Sequence, residues 1–332
     1  MNIGKLTNQQ LAKSVLSKIK PFRDDVILRP GIGEDCCAIQ FGDEICVMST
    51  DPITAATTNI GKLAVHVSCN DIVTSGADPI GILVTIIAPP DTEIAEIEGI
   101  ISDIVETAGQ LEVEVMGGHT EISDAVNRVL LSATVIGKSR GSSLISSSGA
   151  VAGDDIVMTK WAGMEGTYII ASDYLDDIAP YLSKQEIEMA LSLENKISVV
   201  PEGLIARDLN VTSMHDVTEG GILGAVWELV EAAGLGVEIW LDRIPLLHIT
   251  NKICSMYRIN PYKLISSGSM LITTSQAEEL IQELAKHKIK GTVIGRVKEK
   301  GRYVVGGGKR EVLKPPEADE IYKVNAKIKK QI

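Results

Sequence analysis

The chain has 332 residues, 45% hydrophobic and 23% charged, and its formal net charge is −12. This length predicts two domains with an ample core, and the composition is that of a globular protein. An acidic chain without a large basic cluster disfavours nucleic-acid binding, so we expect no nucleic-acid partner. The longest apolar run, Ile80 to Ala88, is far below the roughly 20 residues of a membrane helix, and we expect no membrane association.

The cysteines and the N-terminus indicate in which cellular compartment the protein acts. Five cysteines are present, an odd number, and they form no C-x-x-C pair. This pattern predicts neither a disulfide framework nor a zinc site, and it is typical of a reducing compartment. The first 20 residues lack the apolar core of a secretory signal. We therefore expect a cytoplasmic protein.

Strand and helix patterns alternate in the first half. Thr7 and Gln10 form a capping box, which predicts a first helix that ends near Pro21. Alternating apolar residues and one-turn spacings mark the elements after it. These are strands at Cys37 to Phe41 and Ile45 to Ser49, a helix at Ile60 to Val73, a strand at Ile80 to Ala88, a helix at Thr92 to Leu111, and strands at Val113 to Met116 and Arg128 to Ile136.

A Ser- and Gly-rich stretch predicts the domain boundary. We assign residues 1–140 to an N-terminal domain, residues 141–153 to a linker and residues 154–332 to a C-terminal domain. Capping boxes in the second half predict helices that begin after Ser183 and after Ser275. Its other predicted elements are strands at Asp155 to Thr159, Val211 to Met214, Val237 to Leu241, Met270 to Thr273, Thr292 to Val297 and Tyr303 to Val305, and a helix at Ile222 to Ala233. Both halves therefore predict layered sheet-and-helix domains, a fold of the α/β (α+β) class.

Acidic residues and glycines fall at the ends of these elements, where α/β proteins bind ligands. Several converging carboxylates repel one another unless a cation lies between them, and Mg²⁺ prefers carboxylates, water and phosphate oxygens. Glycines allow backbone N–H groups to approach a phosphate. The pattern therefore predicts a Mg-nucleotide site. Its residues are Asp35 after Gly33, Asp51, Asn70 and Asp71, Gly117 to Thr120, and Asp216 before Gly220 and Gly221.

Each of these features also has an ordinary explanation when taken singly. Asp35 is equally consistent with a turn residue, Asp51 with the end of a strand, and Asp71 with a solvated helix position. The glycine pairs are also common in loops. The phosphate-binding loop G-x-x-x-x-G-K-[ST] and the dinucleotide fingerprint G-x-G-x-x-G at a strand–helix turn are both absent. Only the combination of the motifs is specific.

The order and spacing of these motifs resemble a known superfamily from about Gly31 to Gly295. It contains aminoimidazole ribonucleotide (AIR) synthase, thiamine-monophosphate kinase, selenophosphate synthetase and the hydrogenase-maturation protein HypE. The segments 60–71 and 216–221 are most similar to HypE. The residues that carry the resemblance are Gly31-Ile-Gly-Glu-Asp35, Ser49-Thr-Asp51, Asn59-Ile-Gly-Lys-Leu-Ala-Val-His66, Cys69-Asn-Asp71, Ser75-Gly-Ala77 with Pro79, Gly117-Gly-His-Thr120, Asp216-Val-Thr-Glu-Gly-Gly221 and Leu264-Ile-Ser-Ser-Gly268.

The resemblance implies a two-domain AIR-synthase-like fold. Its N-terminal sheets pair across a homodimer into a barrel, and a C-terminal α/β domain flanks that barrel. ATP and Mg²⁺ are the implied cofactors, in a cleft near the dimer centre. The implied metal ligands are Asp35, Asp51 and Asp71. The implied nucleotide contacts are Asn70 beside the metal, Gly117, Gly118 and Thr120 along the phosphates, and Lys62, for which a solvated helix position is the alternative. Asp216 would face the cleft from the second domain.

The chain departs from HypE at two points. HypE ends in a cysteine that carries the group to be dehydrated, whereas no cysteine follows Cys254 in this sequence. We therefore expect it to act on a separate substrate or to perform different chemistry. His119 stands where kinase-like and HypE-like members tend to carry Asp, and imidazole is a poorer magnesium ligand than carboxylate. We assign His119, with Asp216, to catalysis, although a structural histidine on a loop is the alternative.

These patterns predict an ATP- and Mg-dependent enzyme. It would pass a phosphoryl group to an oxygen of a small or protein-bound substrate, in a HypE-like role in hydrogenase maturation. Two alternatives stay open. One is a nucleotide-binding maturation or regulatory partner without turnover, and the other is a small-molecule kinase of the thiamine-monophosphate type.

Overall fold

A computed structural model of the protein describes residues 4–139 and 144–328. The first half begins with helix α1, which has the predicted capping box at Thr7 and Gln10 but ends earlier than predicted. A short 3-10 turn, Leu16–Lys18, follows it. The helices and strands of this half are α1 Asn8–Ser14, β1 Val26–Leu28, β2 Cys37–Phe41, β3 Glu44–Ile53, α2 Ile60–Thr74, β4 Asp78–Ala88, α3 Ile94–Gln110, β5 Glu114–Ile122 and β6 Leu130–Lys138.

The strands of the first half form one six-stranded sheet in the order β1-β2-β3-β6-β4-β5. All neighbours are antiparallel except β4 and β5, which run parallel. Burial alternates along the central strands, because successive side chains of a strand point to opposite faces. Helix α2 packs on β3 and β6, and α3 packs on α2. The helices thus cover one face of the sheet.

Helix α2 lies at the centre of the molecule. Twelve of its residues are buried, which is more than one amphipathic face can supply. It contacts the first sheet on one side, and α7 and β8 of the second half on the other. The C-terminal half of α2, with Asn70 and Asp71, therefore lies where the two domains meet.

The second half builds a seven-stranded sheet in the order β13-β12-β9-β11-β7-β10-β8, and β9 and β12 are its parallel pair. The Ser183 capping box is present at α6, as predicted. Its helices and strands are β7 Asp155–Thr159, α4 Met164–Asp173, α5 Leu175–Ile178, α6 Lys184–Leu191, α7 Val200–Ala206, β8 Val211–Asp216, α8 Gly221–Ala232, β9 Gly236–Trp240, α9 His248–Tyr257, β10 Met270–Thr274, α10 Ala277–Lys286, β11 Gly291–Lys298, β12 Arg302–Gly306, β13 Lys309–Val312 and α11 Ile321–Ile328.

Three predictions about local structure were wrong. Helix α10 is capped at Gln276 without a side-chain cap, and the Gln276 N–H instead bonds to Thr274 Oγ1. Strand β3 continues through Asp51, so this residue does not close the strand. Gly117 and Gly118 also lie inside a strand, β5, because pairing with β4 continues to Ile122.

The stretch predicted as a linker falls partly on residues 140–143, outside the described residues. From residue 144 onward it packs closely against the protein. Ser147 is buried in a 3-10 turn, and the Ser146 hydroxyl donates to Glu34 Oε1 at 2.6 Å. Across the described residues, no helix is both long and apolar enough to cross a membrane.

Candidate functional site

Two predicted metal ligands meet between β3 and α2. Asp71, near the end of α2, is 5% exposed, and its Oδ2 accepts a hydrogen bond of 2.5 Å from the Ser49 hydroxyl. Ser49 and Asp51 are two residues apart on β3, so their side chains share one face of the strand. The Asp51 carboxylate lies near enough to Asp71 to raise the pKa of that carboxyl group. The sheet and the helix therefore bring these two carboxylates together.

A third predicted ligand, Asp35, comes from the loop before β2 and reaches the second domain. Its Oδ2 lies 2.8 Å from His215 Nδ1, while His215 Nε2 lies 3.7 Å from Glu228 Oε2 on α8. Gly33 allows this approach, because a Cβ atom there would lie 2.7 Å from the Glu228 carbonyl oxygen, and its φ is +78°. His215 thus bridges a loop of the first domain and a helix of the second.

Asp216 completes the group from the second domain. It is the last residue of β8, it is 2% exposed, and its Oδ2 has no hydrogen-bond partner among the described residues. Burial raises its pKa to about 8, and the nearby Asp35 carboxylate adds to that shift. A buried carboxylate oxygen without a partner is unfavourable unless something else binds it. Asp35, Asp51, Asp71 and Asp216 are called the carboxylate cluster below.

The pKa shifts in the cluster show that its carboxylates repel one another. Burial, together with the Asp51 and Asp216 carboxylates, raises the pKa of Asp71 well above its usual value. Burial alone would lower the pKa of His215, but the Asp35 and Glu228 carboxylates reverse this and hold it well above its usual value. His215 is therefore an imidazolium beside the cluster. The cluster favours a cation, because a cation would offset the repulsion that raises these carboxyl pKa values.

Lys5 also reaches this region, and the sequence analysis missed it. Its Nζ donates to Thr218 Oγ1 at 3.4 Å, two residues after Asp216. Burial alone would lower its pKa, but surrounding carboxylates raise it, those of Glu228 and Glu219 most strongly. Solvent still reaches the residue. Lys5 stands before a capping box without any ligand-binding motif, so only the tertiary structure reveals it.

The cluster is not a complete metal cage by itself. Within residues 4–139 and 144–328, no three acidic, histidine or cysteine side chains converge tightly enough to hold a metal ion unaided. This fits magnesium, which is usually held by one or two carboxylates together with water and substrate phosphates. The donors present suit a cation that arrives with an anionic ligand.

The predicted Gly117–Thr120 segment lies away from the cluster within one chain. Asp51 pairs with Ala133, Ala133 with Val84, and Val84 with Gly118. Asp51 and Gly118 are therefore three strand spacings apart, or about 14 Å at about 4.8 Å per strand. His119 is 65% exposed on this edge strand, and its Nε2 lies 3.2 Å from Glu121 Oε2. The structure shows no contact between the predicted catalytic His119 and the carboxylate cluster.

Other predicted nucleotide contacts are occupied by the fold. The Asn70 amide donates to the Ile197 carbonyl at 2.9 Å and accepts from the Val199 N–H at 2.7 Å. Lys62 Nζ lies 3.9 Å from Glu194 Oε1. It precedes Asp71 by nine residues of helix, or about 13 Å at 1.5 Å per residue. The Asn70 amide is therefore engaged by the second half of the chain, and Lys62 lies well over two helical turns before Asp71.

The glycines before α8 are also committed to the fold. The Gly220 N–H donates to Asp319 Oδ2 at 2.7 Å, and the Gly221 N–H donates to the Thr218 carbonyl. A Cβ atom on Gly221 would lie 2.7 Å from the Leu264 carbonyl oxygen. These amides are already paired, so we leave both glycines out of the proposed nucleotide site.

Fold and site together define a two-domain α/β protein with a buried acidic site between its domains. Models of the AIR synthase related protein family match both halves of the chain. The N-terminal domain model covers residues 33–139 and the C-terminal domain model covers residues 151–308. The chain belongs to this family. The resemblance inferred from the motifs and the two-domain AIR-synthase-like fold are thereby confirmed, while the barrel across a dimer stays a prediction.

Several curated proteins and solved structures are similar to the chain. A putative hydrogenase expression/formation protein of Methanocaldococcus jannaschii is 25% identical over 295 residues, covering 85% of this chain and 84% of that protein. The carbamoyl dehydratase HypE of Cupriavidus necator is 23% identical over 293 residues, covering 85% and 81%. A crystal structure of HypE in complex with ATP superposes with a TM-score of 0.67 at 18% identity, covering 95% of this chain and 94% of that one. At that identity the structural match shows a common fold.

Proposed function

We propose that this protein is an ATP- and Mg-dependent enzyme that activates an oxygen of a small or protein-bound substrate by phosphoryl transfer. Its role would be HypE-like, in hydrogenase maturation. The observation that carries the proposal is the carboxylate cluster, because it lies between two domains, where burial and the mutual repulsion of its carboxylates raise the pKa values of Asp71 and Asp216. The names of the relatives, a hydrogenase formation protein and a carbamoyl dehydratase, support the hydrogenase role. The ATP complex of a protein with this fold supports the nucleotide.

The cluster fits magnesium on its own chemistry. Its donors are hard carboxylate oxygens, and one of them, Asp216 Oδ2, is buried without a hydrogen-bond partner among the described residues. One or two of the carboxylates of Asp35, Asp51, Asp71 and Asp216 would hold an ion, together with water and the nucleotide phosphates. When bound, it would offset the carboxylate charge and that of the nucleotide phosphates.

The protein side chains would act by positioning and charge. The Ser49 hydroxyl fixes Asp71, and the His215 imidazolium fixes Asp35 against the second domain. Because the site is buried, water screens these charges less than at the surface. The domain interface would therefore set the ligand geometry before the nucleotide arrives.

We propose that the protein acts in the cytoplasm, because its five free cysteines fit a reducing compartment.

We also propose a homodimer, because edge strand β5 is exposed along almost its whole length. Met116 and Ile122 on this strand are 46% and 50% exposed. A long exposed edge with apolar side chains favours pairing with another strand.

Asp71→Asn and Asp51→Asn test the nucleotide site. Asparagine keeps an oxygen that can accept the Ser49 hydroxyl but removes the charge that a cation requires. We expect each change to weaken Mg-dependent ATP binding by at least tenfold, about 1.4 kcal/mol, as measured by calorimetry with and without Mg²⁺. The exposed Asp176→Asn is the matched control. ATP affinity in Asp71→Asn equal to that of the unchanged protein would sink the proposal.

A further inference from the structure

The N-terminal segment lies against the opposite end of the chain. Gly4 contacts the Tyr322 ring so closely that a Cβ atom there would lie 3.0 Å from it. The Tyr322 hydroxyl donates to Glu219 Oε1 at 2.5 Å. Residues 5–8 line a small cavity of about 40 Å³ together with Glu219, Glu228 and residues 316–319. The packing of the two ends of the chain therefore places Lys5 in one cavity with Glu219 and Glu228.

The Lys5 ammonium is attracted to this site without a short ion pair to one carboxylate. Glu228, Glu219, Asp51 and Asp35 all raise its pKa, and they outweigh the burial that would lower it. Its observed hydrogen bond goes to a neutral partner, Thr218, at 3.4 Å, which is a long contact. An ammonium on a four-carbon stem can therefore reorient toward a new anion nearby.

The carboxylates around Lys5 already have other partners. Glu219 accepts the Tyr322 hydroxyl, and Glu228 faces the His215 imidazolium. Asp35 is bonded to the same imidazole. Carboxylates with partners of their own hold a second cation only by long-range attraction, which weakens once a metal offsets their charge. Lys5 would then be the positive side chain available to the ligand.

We propose that Lys5 binds the terminal phosphate of the nucleotide and gives the site its preference for a triphosphate over a diphosphate. This inference rests on the proposed function. Lysine is a point-charge phosphate ligand, and its three donors suit the terminal group, which carries the most charge. Lys5 lines the cavity shared with Glu219 and Glu228, and its amino group contacts Thr218 in the loop that follows Asp216.

The test compares ATP and ADP affinities in Mg²⁺ by calorimetry. Lys5→Ala and Lys5→Gln should each lose about tenfold or more in ATP affinity, the size of one charge-assisted hydrogen bond. ADP affinity should change by less than about twofold, because ADP lacks the group that Lys5 contacts. Lys5→Arg should recover part of the loss. Lys13→Ala removes the same charge from the exposed face of the neighbouring helix α1 and should leave both affinities unchanged.

The outcomes separate this inference from the proposed function. An unchanged ATP-to-ADP ratio in Lys5→Ala and Lys5→Gln, with normal Mg-dependent ATP binding, would overturn the phosphate role and leave the function standing. Equal losses for both nucleotides with a lowered melting temperature would assign Lys5 to a structural ion pair, and would also overturn it. Absence of ATP binding in the unchanged protein would overturn both proposals.

Discussion

Single buried carboxyl groups define the chemistry of this protein. Asp71 and Asp216 are almost fully buried, and a buried charge is unfavourable unless it is paired. Asp71 has the Ser49 hydroxyl, whereas Asp216 Oδ2 has no partner among the described residues. Such an arrangement favours ligand binding over stability. The sequence could name both residues, but it could not show that Asp216 is left unpaired.

Glu165, which is not part of the carboxylate cluster, shows how burial changes the pKa of a single carboxyl group. It is 5% exposed on α4, and burial raises its pKa to about 7, although hydrogen bonds from Ser267 lower it. The raised pKa belongs to the folded state. The associated stability is therefore complete below the unfolded value of about 4.5 and is lost as the pH rises through 7.

Glu165→Gln removes this titration while keeping an acceptor for the Ser267 N–H. We expect the variant to gain up to about 3 kcal/mol relative to the unchanged protein as the pH rises from 5 to 8. Urea unfolding across that range measures the difference. Glu98→Gln, on an exposed position of α3, is the control and should show no such trend. A flat difference for Glu165→Gln would contradict the expected proton binding.

Strand β5 continues past the two glycines at which the sequence predicts its end. Its Gly117-Gly118 pair predicts that the strand ends there, because glycine weakens a strand. The structure instead continues the strand, with φ of +150° at Gly117 and +156° at Gly118. A Cβ atom at Gly118 would lie 1.9 Å from the Val84 carbonyl oxygen. Glycine is needed here because the neighbouring strand passes too closely for any side chain.

Gly118→Ala tests this account of the strand. The added methyl group would collide with the backbone of β4, so we expect a loss of about 2 kcal/mol or more in the free energy of unfolding. Gly117→Ala is the matched control, because its φ is similar but its Cβ would lie 3.7 Å from the Leu83 side chain, an ordinary contact. Urea denaturation compares the two. Equal losses would mean that backbone strain, and not the close approach, requires glycine.

At the scale of the whole molecule, α2 joins the two domains. Asn70 on α2 bonds to the backbone at Ile197 and Val199 of the second half, and Asp71 follows it directly. A contact between the domains therefore positions Asp71, a candidate metal ligand. The family resemblance implied that Asn70 lies beside the metal, and in the structure its amide bonds to the backbone of the second half.

The exposed β5 edge belongs to the same scale and tests the homodimer. Met116→Lys and Ile122→Lys place charges on this edge, and charged edges discourage pairing between sheets. We expect the assembly to fall from the mass of two chains to one, measured by light scattering after gel filtration. Met189→Lys, on an exposed position of α6, should leave the mass unchanged. A monomeric unchanged protein would contradict the dimer, and a variant that stays dimeric would exclude this edge as the interface.

The sequence by itself determined the family, the two-domain α/β class and the candidate metal ligands Asp35, Asp51 and Asp71. The class follows from the alternation of strand and helix patterns, and the family and the ligands follow from motifs whose order and spacing resemble a known superfamily. Only the tertiary structure decided which groups meet. It placed Lys5 and His215 beside the cluster, because contacts between residues 180 or more positions apart leave no trace in local spacing. It also paired the N–H groups of Gly220 and Gly221 within the fold, and a backbone N–H serves a ligand only if the fold leaves it unpaired.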